Sequence, residues 1–193
     1  MWHSRDKYRR VVFQCNDKYG AGKRCATPHV TEEALKRAFV AALNQMITDR
    51  EAVIADISLL LPKLADTASL ERDKELALQE RDELRNLLER CVEQNARTTM
   101  DQKVYQERYK GLTSRYEAAQ ATFAGVTDKI QQREHRCETL RRFITELETR
   151  PEPIKLFDET AWRSLADQVT ITADGGAVFR FKNGMESRVG LRA

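Results

Sequence analysis

Residues 105–147 read YQERYKGLTSRYEAAQATFAGVTDKIQQREHRCETLRRFITEL, and their pattern is the main sequence evidence for the fold. Apolar or aromatic residues recur in it at alternating steps of four and three, and only Arg133 interrupts the thirteen positions. The series is Tyr105, Tyr109, Leu112, Tyr116, Ala119, Phe123, Val126, Ile130, Arg133, Cys137, Leu140, Ile144 and Leu147. Because six heptads of this spacing keep one face toward a partner helix, the series predicts a left-handed coiled-coil seam.

The ends of this helix can be read from the sequence as well. Asp101 is placed to cap its first turn, and Pro151 and Pro153 end it. A helix over 101–149 would be about 70 Å long, at about 1.5 Å per residue. Such a helix needs partners, and the preceding sequence supplies two.

Both partner helices show apolar stripes. The first begins after Thr31 with Glu32 and Glu33, and Pro62 is expected to kink or interrupt it near its end. Its stripe is Leu35, Phe39, Leu43, Met46, Val53, Ile57, Leu60 and Leu64. The second covers about 68–96, has charged residues crowding the same face, and carries Leu70, Ala77, Leu84, Leu88 and Cys91.

The lengths of the helices suggest how they pair. The short polar segment 95–99 is typical of a turn between antiparallel helices. Residues 68–96 can then fold back on 102–130, which leaves 131–149 to pack beside 31–64. We therefore expect a mainly α fold, with a long antiparallel coiled-coil hairpin rooted in a helical base. A compact three-helix bundle is the alternative.

Short β-strands are predicted at both ends of the chain. After Pro153, Asp158 can cap a short helix that holds Trp162 and Leu165. Alternating residues then predict strands at 169–171, 178–181 and 187–189, separated by turns at 174–176 and at 183–184. Near the N-terminus, 10–15 predicts a strand followed by a glycine-containing loop. The base of the fold is therefore expected to contain β-structure.

Charge is unevenly spread along the chain. Charged residues make up 33% of the sequence and aromatic residues only 7%, which favours long solvated helices over one thick core. The first thirty residues hold only Asp6 and Asp17 as acids, against seven cations, Arg5, Lys7, Arg9, Arg10, Lys18, Lys23 and Arg24. These cations are candidates for contacts with a nucleic-acid backbone. A solvated surface is the other interpretation.

The four cysteines fall into two groups. No signal peptide or apolar stretch long enough to span a bilayer is visible, so reduced thiols and a cytoplasmic location are expected. Cys15 and Cys25 lie across a basic loop and could form half of a zinc site, although no Cys-x-x-Cys occurs in the chain. Cys91 and Cys137 fall on apolar stripes and are expected to be small buried residues.

No enzyme motif is found in the sequence. It contains no glycine-rich phosphate loop, nucleophile elbow or histidine-rich metal motif, and its histidines are scattered at 3, 29 and 135. We therefore expect no catalytic residue in this chain.

The N-terminal residues carry a family resemblance. Trp2-His3-Ser4-x-Asp6-Lys7-Tyr8-Arg9, Cys15, and Lys23-x-Cys25-x-Thr27-Pro28-His29-Val30-Thr31-Glu32 resemble the zinc ribbon of large serine recombinases, notably the transposon- and phage-borne members from Gram-positive bacteria. Asp101-Gln102-x-x-Tyr105-x-x-x-Tyr109-x-x-Leu112 resembles the segment after the tip of their coiled-coil arm. Trp162, Val169-x-Ile171 and Phe179-x-Phe181-x-Asn183-Gly184 resemble the closing hairpin. The resemblance spans nearly the whole chain.

This resemblance implies a bacterial cytoplasmic protein of DNA recombination and integration. Members of the family cut and rejoin DNA attachment sites through a serine in a separate catalytic domain, which this chain does not contain. They grip DNA through a zinc ribbon and contact other subunits through the arm. The first cysteine pair of the family would lie upstream of Trp2, so Cys15 and Cys25 match only the second pair. Zinc is then expected in the full-length protein.

The resemblance also divides the chain. The parts are a partial, basic zinc ribbon at 1–30, a base helix at 31–66, a hairpin arm at 67–130, a return helix at 131–150, and a short helix with a β-hairpin at 151–193. Subunit contacts are expected at the arm tip, from Glu93, Asn95, Arg97, Met100 and Lys103. The alternatives are a coiled-coil adaptor or assembly protein that does not bind nucleic acid, and an RNA-binding arm.

Overall fold

The computed structural model describes residues 2–3, 11–16, 25–98 and 101–191. The described part is mainly helical and contains two small antiparallel sheets. The helices are α1 (Glu32–Thr48), α2 (Arg50–Ala65), α3 (Ala68–Arg97), α4 (Gln102–Glu148) and α5 (Glu159–Leu165). The strands are β1 (Trp2–His3), β2 (Val11–Phe13), β3 (Val30–Thr31), β4 (Ala166–Ile171), β5 (Gly176–Phe181) and β6 (Glu186–Gly190).

The chain divides into two compact units. Unit 1 comprises Met1–Leu61 and Glu138–Ala193, and unit 2 comprises Pro62–Cys137. The boundaries therefore fall inside α2 and inside α4.

The core of unit 1 is built around Phe39 of α1. Its ring centroid lies 5.0 Å from that of Trp162 and 6.0 Å from that of Phe179, both in edge or tilted orientations. Such arrangements are the favourable ones for aromatic pairs. The other large, fully buried side chains of the unit come from α1, the end of α4, α5 and β5, and are Leu43, Leu140, Phe143, Leu147, Leu165, Phe179 and Phe181.

The predicted helix 31–64 is two helices, so the single-helix prediction was wrong. Thr31 caps α1, as expected, through a bond from the Ala34 N–H to its Oγ1. The break falls at Asp49, whereas Pro62 lies within α2. Contacts with a distant segment surround this break. The Asn44 side chain exchanges hydrogen bonds of 2.9 and 2.8 Å with the backbone of Ile154, and Arg50 donates to the Pro151 carbonyl.

The C-terminal sheet has the order β4-β5-β6 and all pairs are antiparallel. The three segments that were predicted here to be strands are strands. The sheet therefore contains three strands, whereas a hairpin contains two. The additional antiparallel pair forms because the turn before β5 also closes tightly, with the Gly175 N–H bonded to the Thr172 carbonyl. Gly175 and Gly184 have φ of 82° and 96°, which glycine adopts without a steric penalty. Asp158 caps α5 through the amides of Thr160 and Ala161.

The N-terminal sheet is smaller. Its order is β1-β2-β3, with Val12 opposite both Trp2 and Thr31. The strand predicted at 10–15 is observed as Val11–Phe13, and Arg10 lies outside the described residues.

Burial along α3 and α4 follows the heptad spacing. Of the thirteen positions in the predicted α4 series, twelve are buried or half-buried, and Tyr109 is the exposed one. On α3 the buried residues Ala77, Leu84 and Cys91 are each seven residues apart. Asp101 accepts hydrogen bonds from the Lys103 and Val104 amides, as expected of a cap.

Contacts within unit 2 have an antiparallel order. Asn95 bonds to Gln102, Gln94 to Arg108, and the Arg81 guanidinium lies over the Phe123 ring. At the far end of the unit, Arg133 donates to the carbonyl of Asp66. Residues nearer to Asp66 therefore contact residues nearer to Arg133 in α4.

Candidate nucleic-acid interface, metal site and subunit contacts

The predicted DNA-binding cations lie outside the described residues. They are Arg5, Lys7, Arg9, Arg10, Lys18, Lys23 and Arg24. In the sequence they fall between β1 and β2 and between β2 and β3. The prediction of a nucleic-acid contact therefore stays a prediction from charge.

The two candidate zinc ligands belong to the connection between β2 and β3. Cys15 follows β2 and Cys25 precedes β3, and both side chains are half-buried. The Cys25 sulfur lies 3.0 Å from the Thr27 hydroxyl oxygen. Within the described segments no group of three or more histidine, cysteine, aspartate or glutamate side chains is placed to hold a metal. Two thiols are half of the donor set that a structural zinc uses.

Cys91 and Cys137 are buried, as their seam positions predicted. Each has at most a few per cent of its surface exposed. A small apolar role explains both, because a thiol in such a position behaves as a hydrophobic group.

The predicted subunit-contact residues surround the connection between α3 and α4. Glu93, Arg97 and Lys103 are exposed, and Met100 lies outside the described residues. Asn95 is half-buried and accepts a 3.1 Å hydrogen bond from Gln102. Asn95 therefore pairs α3 with α4, whereas the charged residues of the set face solvent.

Exposed apolar side chains at this end of the helices were missed in the sequence. Val92 of α3 is 47% exposed, Val104 of α4 is 56% exposed and Tyr109 is 41% exposed. Tyr109 was predicted to lie in the seam, but its ring is 5.8 Å from the Tyr105 ring and remains accessible. Val92 directly follows Cys91 and Val104 directly precedes Tyr105 in the sequence. Their places next to the predicted apolar stripes were the only available sequence signal for these two residues.

A cation also occupies a heptad position of α3. Arg81 is half-buried, forms an ion pair with Asp82, and places its guanidinium 5.2 Å from the centroid of Phe123. A cation over an aromatic face is attracted by the ring quadrupole. The positive charge of Arg81 is thus accommodated at a heptad position where an apolar residue is usual.

An aromatic cavity in unit 1 is a further candidate site that the sequence did not reveal. It is lined by Phe13, Leu35, Phe157 and Trp162, with Glu32, Lys36 and Glu159 among its polar residues. These residues come from β2, α1 and the region of α5, which are far apart in sequence. Only the tertiary fold brings them together.

Two titratable groups in unit 1 have shifted pKa values. The hydrogen bond with Glu32 raises the pKa of Lys36 above its ordinary value, and the neighbouring carboxylates act in the same direction. At the turn before β5, a hydrogen bond with Thr172 lowers the pKa of Asp174, and the positive charge of Arg188 lowers it further. Both groups are on the surface.

None of the described helices combines the length and apolarity needed to cross a membrane.

Comparisons with protein-family models, with curated proteins and with solved structures found no match. The function proposed below is therefore argued from the residues of this chain.

Proposed function

We propose that this chain is the DNA-binding and subunit-contact region of a site-specific serine recombinase. In this proposal residues 1–30 are part of a zinc ribbon that grips DNA, and α3 and α4 form a coiled-coil arm that contacts other subunits. The catalytic serine belongs to another part of the recombinase, and the region itself has no catalytic role.

The observation that carries the proposal is the order of its parts. A small antiparallel sheet with Cys15 and Cys25 in one connection leads directly into α1. Two long helices with heptad burial follow, and a short helix and a three-stranded sheet end the chain. The N-terminal string that resembles the recombinase ribbon stands at the matching place in this order.

The arm is proposed to be an antiparallel coiled coil. Support comes from the alternate spacing of half-buried and buried residues on α3 and from the reversed order of contacts between α3 and α4. The exposed Val92, Val104 and Tyr109 favour protein contact at the end where the two helices are connected. This feature also favours the second candidate, a coiled-coil adaptor that does not bind nucleic acid.

Salt dependence of DNA binding distinguishes the two candidates. A fluorescently labelled duplex is titrated with the protein and zinc at 50 and 200 mM salt, and anisotropy is measured. Contacts with several phosphates release counterions, so affinity should fall by about tenfold to a thousandfold over this range. Replacing Arg5, Lys7, Arg9 and Arg10 with glutamine should reduce both the affinity and its dependence on salt.

A matched variant controls for net charge. It replaces four exposed cations of the helices with glutamine, namely Arg85, Arg90, Lys110 and Arg141. This variant should bind DNA nearly as well as the unaltered protein. Equal losses in the two variants, or no binding at low salt in the presence of zinc, would reject the DNA-binding proposal and leave the adaptor.

Deletion of residues 72–128 tests the arm. The remaining chain keeps the aromatic core of unit 1 and should fold, but it should no longer self-associate. Sedimentation analysis measures the association, and Trp162 fluorescence reports the fold. Self-association that survives the deletion would show that the arm is not the interface.

A further inference from the structure

One flank of α3 carries exposed leucines beside exposed glutamates. Four residues of this helix are spaced four, three and four apart, so they lie on one face, and they are Leu76, Glu80, Glu83 and Leu87. All four side chains are exposed, and Leu76 has 64% of its surface accessible. We call this surface the acidic stripe.

The two glutamates of the acidic stripe keep their negative charge. Within the described part of the chain, the ion pairs of α3 involve other carboxylates than Glu80 and Glu83. Arg72 and Arg90 are cations of the same face, but each is roughly 10–12 Å along the helix from the nearer glutamate, which exceeds the screening length of about 8 Å at physiological salt. Exposed leucines therefore stand beside uncompensated carboxylates.

A second surface of unit 2 has the opposite charge. It is a notch between α4, the end of α2 and the start of α3, with a volume of about 290 Å³, and its lining residues are Leu64, Leu70, Lys129, Gln132, Arg133 and Arg136. The three cations are spaced four and three residues apart on one face of α4. The two half-buried leucines form the apolar part of the lining. We call this surface the basic notch.

The basic notch keeps a positive charge. Among the residues that the structure describes, no carboxylate forms an ion pair with Lys129 or Arg133, and the 2.9 Å bond from Arg133 to the Asp66 carbonyl leaves the charge of the guanidinium in place. The neighbouring carboxylates of Asp66 and Asp128 do not line the notch, and each accepts a hydrogen bond from an uncharged group. The notch thus combines apolar side chains with cations that have no acidic partner.

We propose that the acidic stripe of one copy of this chain docks in the basic notch of a second copy. Leu76 enters the notch and packs against Leu64 and Leu70, while the two glutamates of the stripe pair with Lys129 and Arg133. Because each copy carries both surfaces, two copies can make the contact reciprocally, as in a symmetric dimer.

The chemistry of the two surfaces selects this occupant. A nucleic-acid backbone would pair with the cations of the notch but would leave its leucines uncovered. A partner helix with exposed leucines between carboxylates satisfies both parts of the lining, and the acidic stripe is such a surface on the same chain. The contact uses neither the basic N-terminal segment nor the exposed apolar residues where α3 and α4 are connected, so it does not rest on the proposed DNA contact.

Charge reversal in the full chain tests the contact. The notch variant is Lys129→Glu with Arg133→Glu, and the stripe variant is Glu80→Lys with Glu83→Lys. Sedimentation of a fluorescently labelled copy, titrated with unlabelled protein, measures the association. Each variant alone should associate about tenfold more weakly, because two ion pairs become two repulsive pairs. An equimolar mixture of the two variants should regain the affinity of the unaltered protein, since every contact in it is again between opposite charges.

A charge-matched control carries Lys110→Glu with Arg115→Glu, two exposed cations elsewhere on α4. It should leave the association within about twofold of its original value. Because Arg133 also bonds to the Asp66 carbonyl, Lys129→Glu alone provides a second notch variant without that bond removed. Circular dichroism verifies that each variant is helical.

The apolar half of the contact is tested at Leu76. Leu76→Ala should weaken the association about tenfold, because it removes a side chain that is buried only in the complex. Leu156→Ala changes a leucine that is 81% exposed and belongs to unit 1, and it should have no effect.

Restored affinity in the mixture supports the proposal, because it requires the two altered surfaces to meet. Absence of self-association in the unaltered protein, reversals that act no more strongly than the control, or a mixture that stays as weak as the single variants would overturn it. If the reversals have no effect but Val92→Ser with Val104→Ser abolishes association, the contact proposed at the connected end of α3 and α4 stands and this one fails.

Discussion

The ring of Phe39 has no surface exposed to solvent and contacts the aromatic rings of Phe157, Trp162, Phe179 and Phe181. These partners come from the segment before α5, from α5 itself and from β5. The Phe39 side chain therefore packs the C-terminal elements of unit 1 against α1.

Phe39→Ala should destabilise unit 1 by about 3–5 kcal/mol, because it removes a large buried ring and leaves a cavity that the rigid aromatic neighbours cannot fill. Urea unfolding is followed by the fluorescence of Trp162 in a Trp2→Phe background. Leu156→Ala is the matched control. Its side chain is largely exposed, so the change should stay within about 0.5 kcal/mol. A loss below about 1 kcal/mol at Phe39 would contradict the packing described.

Asp174 gives a prediction about acid. Its pKa in the folded state is lowered, first by the hydrogen bond with Thr172 and then by the charge of Arg188. A carboxyl whose folded pKa is lowered stabilises the fold above its unfolded pKa, and this contribution is lost as the pH falls through the folded pKa. Thr172→Val should therefore raise the pKa of Asp174 toward its ordinary value and move this loss to higher pH.

Carbon-13 NMR titration of the Asp174 carboxyl measures that change. Arg163→Ala is a suitable control, because Arg163 is an exposed cation of α5 that pairs with Glu159 rather than with this turn. It should leave the Asp174 titration unchanged. An Asp174 titration that is the same with Thr172 and with valine would remove the hydroxyl as the cause.

Among the secondary-structure elements, the glycines of α4 and those of the C-terminal sheet differ in the space around them. Gly111 and Gly125 lie inside α4, and a Cβ added at either would meet nothing within 4 Å. Gly176 begins β5, and a Cβ there would lie 2.9 Å from the Thr172 hydroxyl oxygen. The same substitution should therefore have opposite effects in the two elements.

Gly125→Ala should stabilise the protein by about 0.5–1 kcal/mol, because alanine loses less backbone freedom than glycine when a helix forms. Gly176→Ala should destabilise it, because the Thr172 side chain must move away from the new Cβ and lose the hydrogen bond that its hydroxyl accepts from the Gly176 N–H. Chemical unfolding followed by circular dichroism measures both. A destabilising Gly125→Ala would show that the face of α4 at this residue is covered in solution.

The elements that could be predicted from sequence are those with a repeating pattern. The burial pattern of α4 was predicted position by position because it repeats with the heptad, and only Tyr109 near the start of the helix departs from it. The caps at Thr31, Asp101 and Asp158 were predicted because short polar side chains satisfy the first free amides. The break at Asp49 was missed because the contacts around it come from 151–154, which no local pattern contains.

At the scale of the whole molecule, the candidate sites divide in the same way. A basic N-terminal segment can be recognised from composition, whereas the aromatic cavity joins residues from Phe13 to Trp162. Its components are spaced like ordinary core residues, so nothing in the sequence sets them apart before the chain folds. The sequence pattern of one helix or one strand does not show which side chains from distant elements will lie together.

The division into two units leads to a prediction about cooperativity. Leu84 is 1% exposed on the seam of α3, whereas Leu76 of the same helix is 64% exposed. Leu84→Ala should destabilise unit 2 by about 2–5 kcal/mol and Leu76→Ala by less than about 0.5 kcal/mol. Because Trp162 belongs to unit 1, its fluorescence midpoint in urea should move little in Leu84→Ala while the loss of helix by circular dichroism occurs earlier. Coincident shifts of the two probes would contradict this prediction and show that the two units unfold as one cooperative fold.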